Sequence, residues 1–183
     1  IENNSSVKNI QKDKVDLKGL EQNLNNHNMI QKCEVFVTVD GVLKAVVKQK
    51  TPVARVFGPD GSFYVDYEGH KMPLSDNFTA RVPIVSGTIN KQNNQDLIKV
   101  FRYIYDDEFL QKNIIGVEVL PGGSLKMRNR NFNYEIDFGK TINVDKKFKN
   151  YKAFFQKAVQ DSLINNYKTV NLKFTQQVVC TKN

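Results

Sequence analysis

The sequence is poor in the residues that build catalytic and metal centres. Of its 183 residues only two are histidines, His27 and His70, and only two are cysteines, Cys33 and Cys180; tryptophan is absent. Two histidines leave almost no material for a His-dependent triad or a multi-histidine metal site. The cysteines, near opposite ends of the chain, fit neither a zinc motif nor a CxxC pair. They leave open a single disulfide in an oxidising compartment or, the simpler reading, two separate small hydrophobes on strands. No run of eighteen apolar residues and no signal peptide is present, so no segment here reads as a membrane-spanning helix. GxSxG, P-loop, GxGxxG and HExxH motifs are all missing. The sequence opens on Ile1 rather than Met, which reads as a trimmed or processed fragment with room for a membrane anchor upstream.

What is present is enough apolar material, 40% of residues, for a real core in one domain or two small ones. The formal charge is +8 and the pI about 9.4. Such a balance favours nucleic acid or an anionic lipid surface. The Lys and Arg residues are scattered, however, and no recognisable nucleic-acid module accompanies them, so a solvated basic surface is the preferred reading.

The most informative stretch is Cys33 to Lys50. Two β-branched runs flank Asp40-Gly41, which predicts a hairpin on a two-residue type I′ turn. Val35, Val37 and Val39 alternate with Glu34, Phe36 and Thr38, and Leu43, Ala45 and Val47 with Lys44, Val46 and Lys48. One apolar face suits a sheet packed on helices from one side. Ahead of the hairpin, Ile1 to Lys14 reads as a polar tail. Asp16 is a plausible N-cap for a short amphipathic helix carrying Leu17, Leu20 and Leu24, and Met29-Ile30 is expected to plug the core.

Pro52 marks a seam. Beyond it come short strands over 53–57 and 63–66 around a Gly58-Pro59-Asp60-Gly61 turn, then extended segments over 72–74 and 80–85; their prolines predict edges rather than a central ladder. From Asp96 the period becomes helical, with Leu97, Val100, Phe101, Ile104 and Tyr105 on one face to about Lys112. A meander over 114–120, 124–128 and 133–138 follows. Asp145 then opens a second long helix, with Phe148, Tyr151, Phe155, Ala158 and Val159 inside and Lys146, Lys147, Lys149, Lys152 and Lys157 mostly outside. Strands over 169–174 and 177–181 close the chain. The fold class is therefore α+β: a helix plus hairpin, followed by a mixed or antiparallel sheet flanked by two long helices. Asp106-Asp107-Glu108 reads as solvated surface, because acid/base carboxylates need a cleft. Tyr103, Tyr105, Phe154 and Phe155 read as packing residues. By its residues the chain is a binding protein, not an enzyme, and it needs no cofactor.

The order VFVTVDGVLKAVVKQKTPVARVF, YVDYEGHKMPL, ARVPIVSG, YEIDFGK, YKTVNLKFTQQVV resembles the bacterial FtsQ/DivIB cell-division family. The shared steps are Lys50-Thr51-Pro52-Val53-Ala54 after the hairpin, Val65-Asp66-Tyr67-Glu68-Gly69, Pro83 to Gly87, and Gly139-Lys140. The resemblance implies an N-terminally truncated POTRA domain over residues 1–50 and an FtsQ-type β-domain over 51–183. It also implies a single inner-membrane anchor upstream, a periplasmic location at the division septum, and a non-enzymatic divisome scaffold that binds FtsB and FtsL. The partner-binding positions it implies are Lys140, Lys173, Phe174, Gln176, Gln177, Val178, Val179, Cys180 and Thr181, acting by strand addition at a sheet edge. Phe174 stands where the family often has tyrosine, and Lys140 and Lys173 where arginine is common, which keeps charge but loses the bidentate fork. Two alternatives stand beside this one: another POTRA-type polypeptide-handling protein of the cell envelope, and a basic nucleic-acid-binding protein.

Overall fold

Asp16 caps the first helix, α1 (Leu17–Asn25), its Oδ1 accepting the Gly19 N–H at 2.9 Å. The computed structural model describes residues 15–58, 61–75, 78–87, 89 and 94–183. The N-terminal tail and the Pro59-Asp60 turn lie outside them. The chain divides into two units between Lys50 and Thr51.

In the first unit α1 precedes an antiparallel hairpin, β1 (Ile30–Val37) and β2 (Leu43–Gln49). Asn25 fastens helix to sheet: its side chain accepts from the Cys33 N–H at 2.7 Å and donates to the Cys33 carbonyl. Cys33 is buried there, but β2 is exposed along its whole length, so only β1 is covered. Met29 ends the preceding turn and Ile30 starts the strand instead of plugging a core, and both residues are half-buried.

The hairpin turn also differs from the expectation. The Gly41 N–H donates to the Thr38 carbonyl and the Thr38 N–H to the Val42 carbonyl, which closes a three-residue loop. Only Gly41 is left-handed, at φ 82°. That is a type I turn followed by a glycine bulge, because Thr38 Oγ1 accepts the Val42 N–H and holds one more residue in the loop. A Cβ at position 41 meets no atom within 4 Å, so the cost of Gly41→Val is chiefly backbone strain, roughly 1–3 kcal/mol. A thermal melt reads this directly; an unchanged Tm would refute the left-handed assignment.

The second unit holds a nine-stranded mixed sheet. Its strands are β3 (Pro52–Gly58), β4 (Gly61–Asp66), β5 (Lys71–Met72), β6 (Ile84–Gly87), β7 (Ile114–Val119), β8 (Leu125–Asn129), β9 (Glu135–Gly139), β10 (Tyr167–Asn171) and β11 (Val179–Lys182), in the spatial order β11-β10-β9-β8-β7-β6-β3-β4-β5. Register aligns one apolar row across it: Val56, Val85, Val117, Met127, Ile136, Val170 and Cys180. Helices α2 (Asn94–Asp106), α3 (Glu108–Asn113) and α4 (Val144–Gln160) join β6 to β7 and β9 to β10. Both crossovers link parallel neighbours and step the same way across the sheet, so the right-handed rule puts all three helices on that apolar face. Leu97, Val100, Phe101, Ile104, Leu110, Phe148, Tyr151 and Ala158 fill the layer between.

Prolines do not mark edges here. β3 and β6 are interior strands, tolerated because Pro52 is the first residue of its strand and Pro83 precedes the other, its carbonyl accepting the Arg55 N–H. The first long helix stops early because Asp107 turns extended and caps α3, accepting the Leu110 N–H. Asp107 is no free surface charge either. Burial pushes its carboxyl up, but the Lys152 ammonium and the Leu110 and Phe109 N–H groups outweigh that and hold it low. In α4, Val159 is exposed rather than inside, while Lys147 is 1% exposed rather than outside.

Candidate protein-binding edge

Among the described residues β11 is the last strand of the sheet and pairs only with β10, in the register Asn171↔Val179, Val170↔Cys180 and Thr169↔Thr181. On its other side β10 runs parallel to β9, with the Leu172 N–H donating to the Asp137 carbonyl. That bond commits the main-chain groups of Val170 and Leu172 to β9, so those of Thr169 and Asn171 face β11. Val179 and Thr181 therefore spend their N–H and C=O groups on β10, and Cys180 turns its own pair outward, away from the sheet. The Cys180 side chain stands roughly perpendicular to these groups, half-buried against the core on the helix-covered face, and burial pushes its thiol pKa up. Both cysteines are free thiols, in different units.

The other positions named from the sequence gather near one end of this strand. Leu172 to Val178 is a loop, not strand, so Phe174 sits on the turn between β10 and β11 and is 50% exposed. The Asn171 side chain starts that turn by accepting the Lys173 N–H. Because β9 and β10 run parallel, Lys140 and Lys173 leave the sheet at the same end. Both ammonium groups are engaged within the chain: Lys173 with Asp137 at 2.5 Å, Lys140 with the Gly122 carbonyl of the β7–β8 turn. Each is exposed and has donors to spare, so a partner carboxylate can recruit them without orphaning a buried group. Val179 is 43% exposed, and Gln176, Gln177 and Thr181 are exposed, whereas Val178 packs against the core.

Side chains the sequence did not single out complete the site. Gln176, Gln177 and Val178 form one wall of a cleft of about 360 Å³, and Asn150, Phe154, Lys157 and Tyr167 form much of the rest. Asn150 Nδ2 donates to the Thr175 carbonyl at 3.1 Å and ties the loop to α4. Only tertiary packing brings α4 against this loop, so no spacing in the sequence announces the cleft. The other end of β11 is closed by Asn183, whose N–H donates to the Asn166 carbonyl. Among the described residues no group of three or more His, Cys, Asp or Glu is placed to hold a metal. The arrangement offers a short edge for strand addition, flanked by an aromatic, two lysines and a side-chain cleft.

A family model described as FtsQ/DivIB, C-terminal related, matches residues 51–181. No curated protein matches the chain.

Proposed function

Because this chain belongs to the FtsQ/DivIB C-terminal related family, and is thus a cell-division protein, we propose that it is a non-enzymatic scaffold whose β11 edge takes up a strand from an FtsB-like protein, with FtsL alongside. The outward N–H and C=O of Cys180, on a strand with a single neighbour, carry this reading. Strand addition satisfies such groups and extends the sheet by one strand, while side-chain contacts set register. Phe174 supplies the aromatic contact, and Lys140 and Lys173 meet acidic residues of the incoming segment. Gln176, Gln177, Val178, Val179 and Thr181 line its path.

The 1–50 unit, in this reading, is part of a POTRA domain whose exposed β2 is covered by further elements of that domain. The protein then works on the periplasmic side of the inner membrane at the septum, held by a single anchor. Among the described residues no helix is long and apolar enough to cross a membrane, so the anchor belongs to a different segment.

A pull-down of this fragment against single-pass coiled-coil membrane proteins from its own cell tests the proposal. The wild type is expected to retain an FtsB-like protein and Phe174→Asp to lose it, with unchanged circular dichroism because the ring is half exposed. Failure of the wild type to retain any such protein, or equal retention by the variant, overturns it.

A further inference from the structure

The face of the nine-stranded sheet opposite the helices carries its own row, fixed by register: Tyr64, Arg55, Ile84, Gly116, Arg128, Glu135, Thr169 and Thr181. Most charges on this face are already matched. Lys126 pairs with Glu135 at 2.8 Å and Lys173 with Asp137; Glu118 lies opposite Lys126, and Glu135 opposite Arg128, in the ladder. Arg55 and Arg128 have no ion pair among the described residues. Arg55 Nε is buried without a hydrogen-bond partner, its guanidinium stacked 5.2 Å from the Phe57 ring. Arg128 is exposed and lies flat across Gly116, its Nε 3.1 Å from where a Cβ on that glycine would stand. A Cβ at 116 would press on the guanidinium and require it to shift by a few tenths of an ångström. Between the two arginines stands Ile84, 44% exposed, and beside Arg55 stands Phe57, 47% exposed.

We infer that this patch docks an acidic, extended protein segment of the pattern Glu-x-apolar-x-Glu, at a surface separate from the β11 edge. Three strand spacings separate β3 from β8, about 14 Å. A segment crossing the strands in extended form places residues i and i+4 about 14 Å apart on one face, with i+2 midway. Its end carboxylates then meet Arg55 and Arg128, and each guanidinium can donate a bidentate pair of N–H bonds to the carboxylate it meets. Its central apolar side chain rests on Ile84. Charge decides the sign of the partner. Neither guanidinium has a hydrogen-bonded carboxylate among the described residues, so both keep N–H donors for one, and the exposed Ile84 and Phe57 favour a peptide over a bare polyanion.

The probe is acetyl-Glu-Thr-Val-Thr-Glu-amide, titrated into the ¹⁵N-labelled chain and followed by NMR. Saturable shifts are expected at the Arg55 and Arg128 side-chain Nε–H groups and at the Ile84 and Gly116 amides. Arg128→Glu, an exposed site whose backbone spectrum should stay intact, is expected to weaken binding about tenfold or more. Ile84→Ser should weaken it as well, and a probe with lysine at both ends should not bind. Cys180→Pro should leave the titration unchanged, so this surface and the β11 edge succeed or fail separately. The inference is overturned by absent shifts at millimolar peptide, by binding indifferent to Arg128→Glu, or by tripolyphosphate or anionic vesicles binding as tightly as the peptide.

Discussion

Cys180→Pro is expected to abolish retention of the strand-donating partner while leaving the sheet folded. The expectation follows from which way each main-chain group of β11 points. Val179 and Thr181 face β10 through their register with Asn171 and Thr169, so a proline at either position would break the internal ladder and confuse loss of binding with loss of structure. Cys180 has no such duty. Its N–H looks away from the sheet, and proline on an edge strand with that group outward is tolerated. An incoming strand, however, would meet a missing donor and a pyrrolidine ring at the centre of a four-residue edge. With so few main-chain bonds available, losing one bond and its neighbours' alignment should reduce affinity by roughly 2–3 kcal/mol, more than tenfold. Isothermal titration with the partner's soluble segment measures it, and amide exchange at Thr169 and Asn171 reports whether β10 still holds β11. Wild-type affinity in a folded Cys180→Pro chain would show that the partner does not add to this strand. Cys180→Ser separates the thiol from the main chain: it keeps the N–H and should bind as the wild type does.

Period and punctuation made the element order legible. Alternation in Cys33 to Lys50, the 3.6 repeat from Leu97 to Ile104 and that from Phe148 to Tyr151 each correspond to an observed strand or helix. Boundaries and faces were harder wherever a single side chain overrode the pattern. Asp107 cut one helix in two by capping the second half. Thr38 lengthened a turn that Asp40-Gly41 suggested would be tight. Pro52 and Pro83 pointed to edges, yet both stand where no ladder donor is lost. At the candidate site, sequence could nominate the last strand but could not orient its main chain. Orientation depends on the parallel β9–β10 pairing, a contact between residues more than thirty positions apart. The arginine patch is equally silent in one dimension, since Arg55 and Arg128 meet only through register across β6 and β7.

Lys147 is the clearest case of a pattern overridden, and removing its ammonium should produce a large loss of stability. In sequence it belongs to a lysine-rich wet face; in the fold its side chain is buried at the first turn of α4. The reason lies in the β8–β9 pairing. Leu125 opposes Gly139 and Lys126 opposes Asp137, so Phe138 is the extra residue of a bulge and its carbonyl has no ladder partner. Lys147 Nζ donates to that carbonyl at 2.9 Å and to the Lys140 carbonyl at 2.6 Å, 4.8 Å from the centre of the Phe138 ring. Burial lowers its pKa, with the Asp137 carboxylate working against the shift. Lys147→Met keeps length and apolar contact but leaves two carbonyls unsatisfied. The relief of an uncharged side chain offsets part of that loss, yet each orphaned acceptor costs about 1–3 kcal/mol. The balance should be a destabilisation of about 2–4 kcal/mol, seen as a Tm lower by roughly 10 °C. Lys147→Arg carries donors enough for both carbonyls but must fit a larger head into the same space, so it should recover only part of the loss. Because the anchored carbonyls flank Gly139 and lead into Lys140, the Met variant should also weaken partner binding more than its stability loss explains. An unchanged Tm in Lys147→Met would mean that the bulge needs no such clamp.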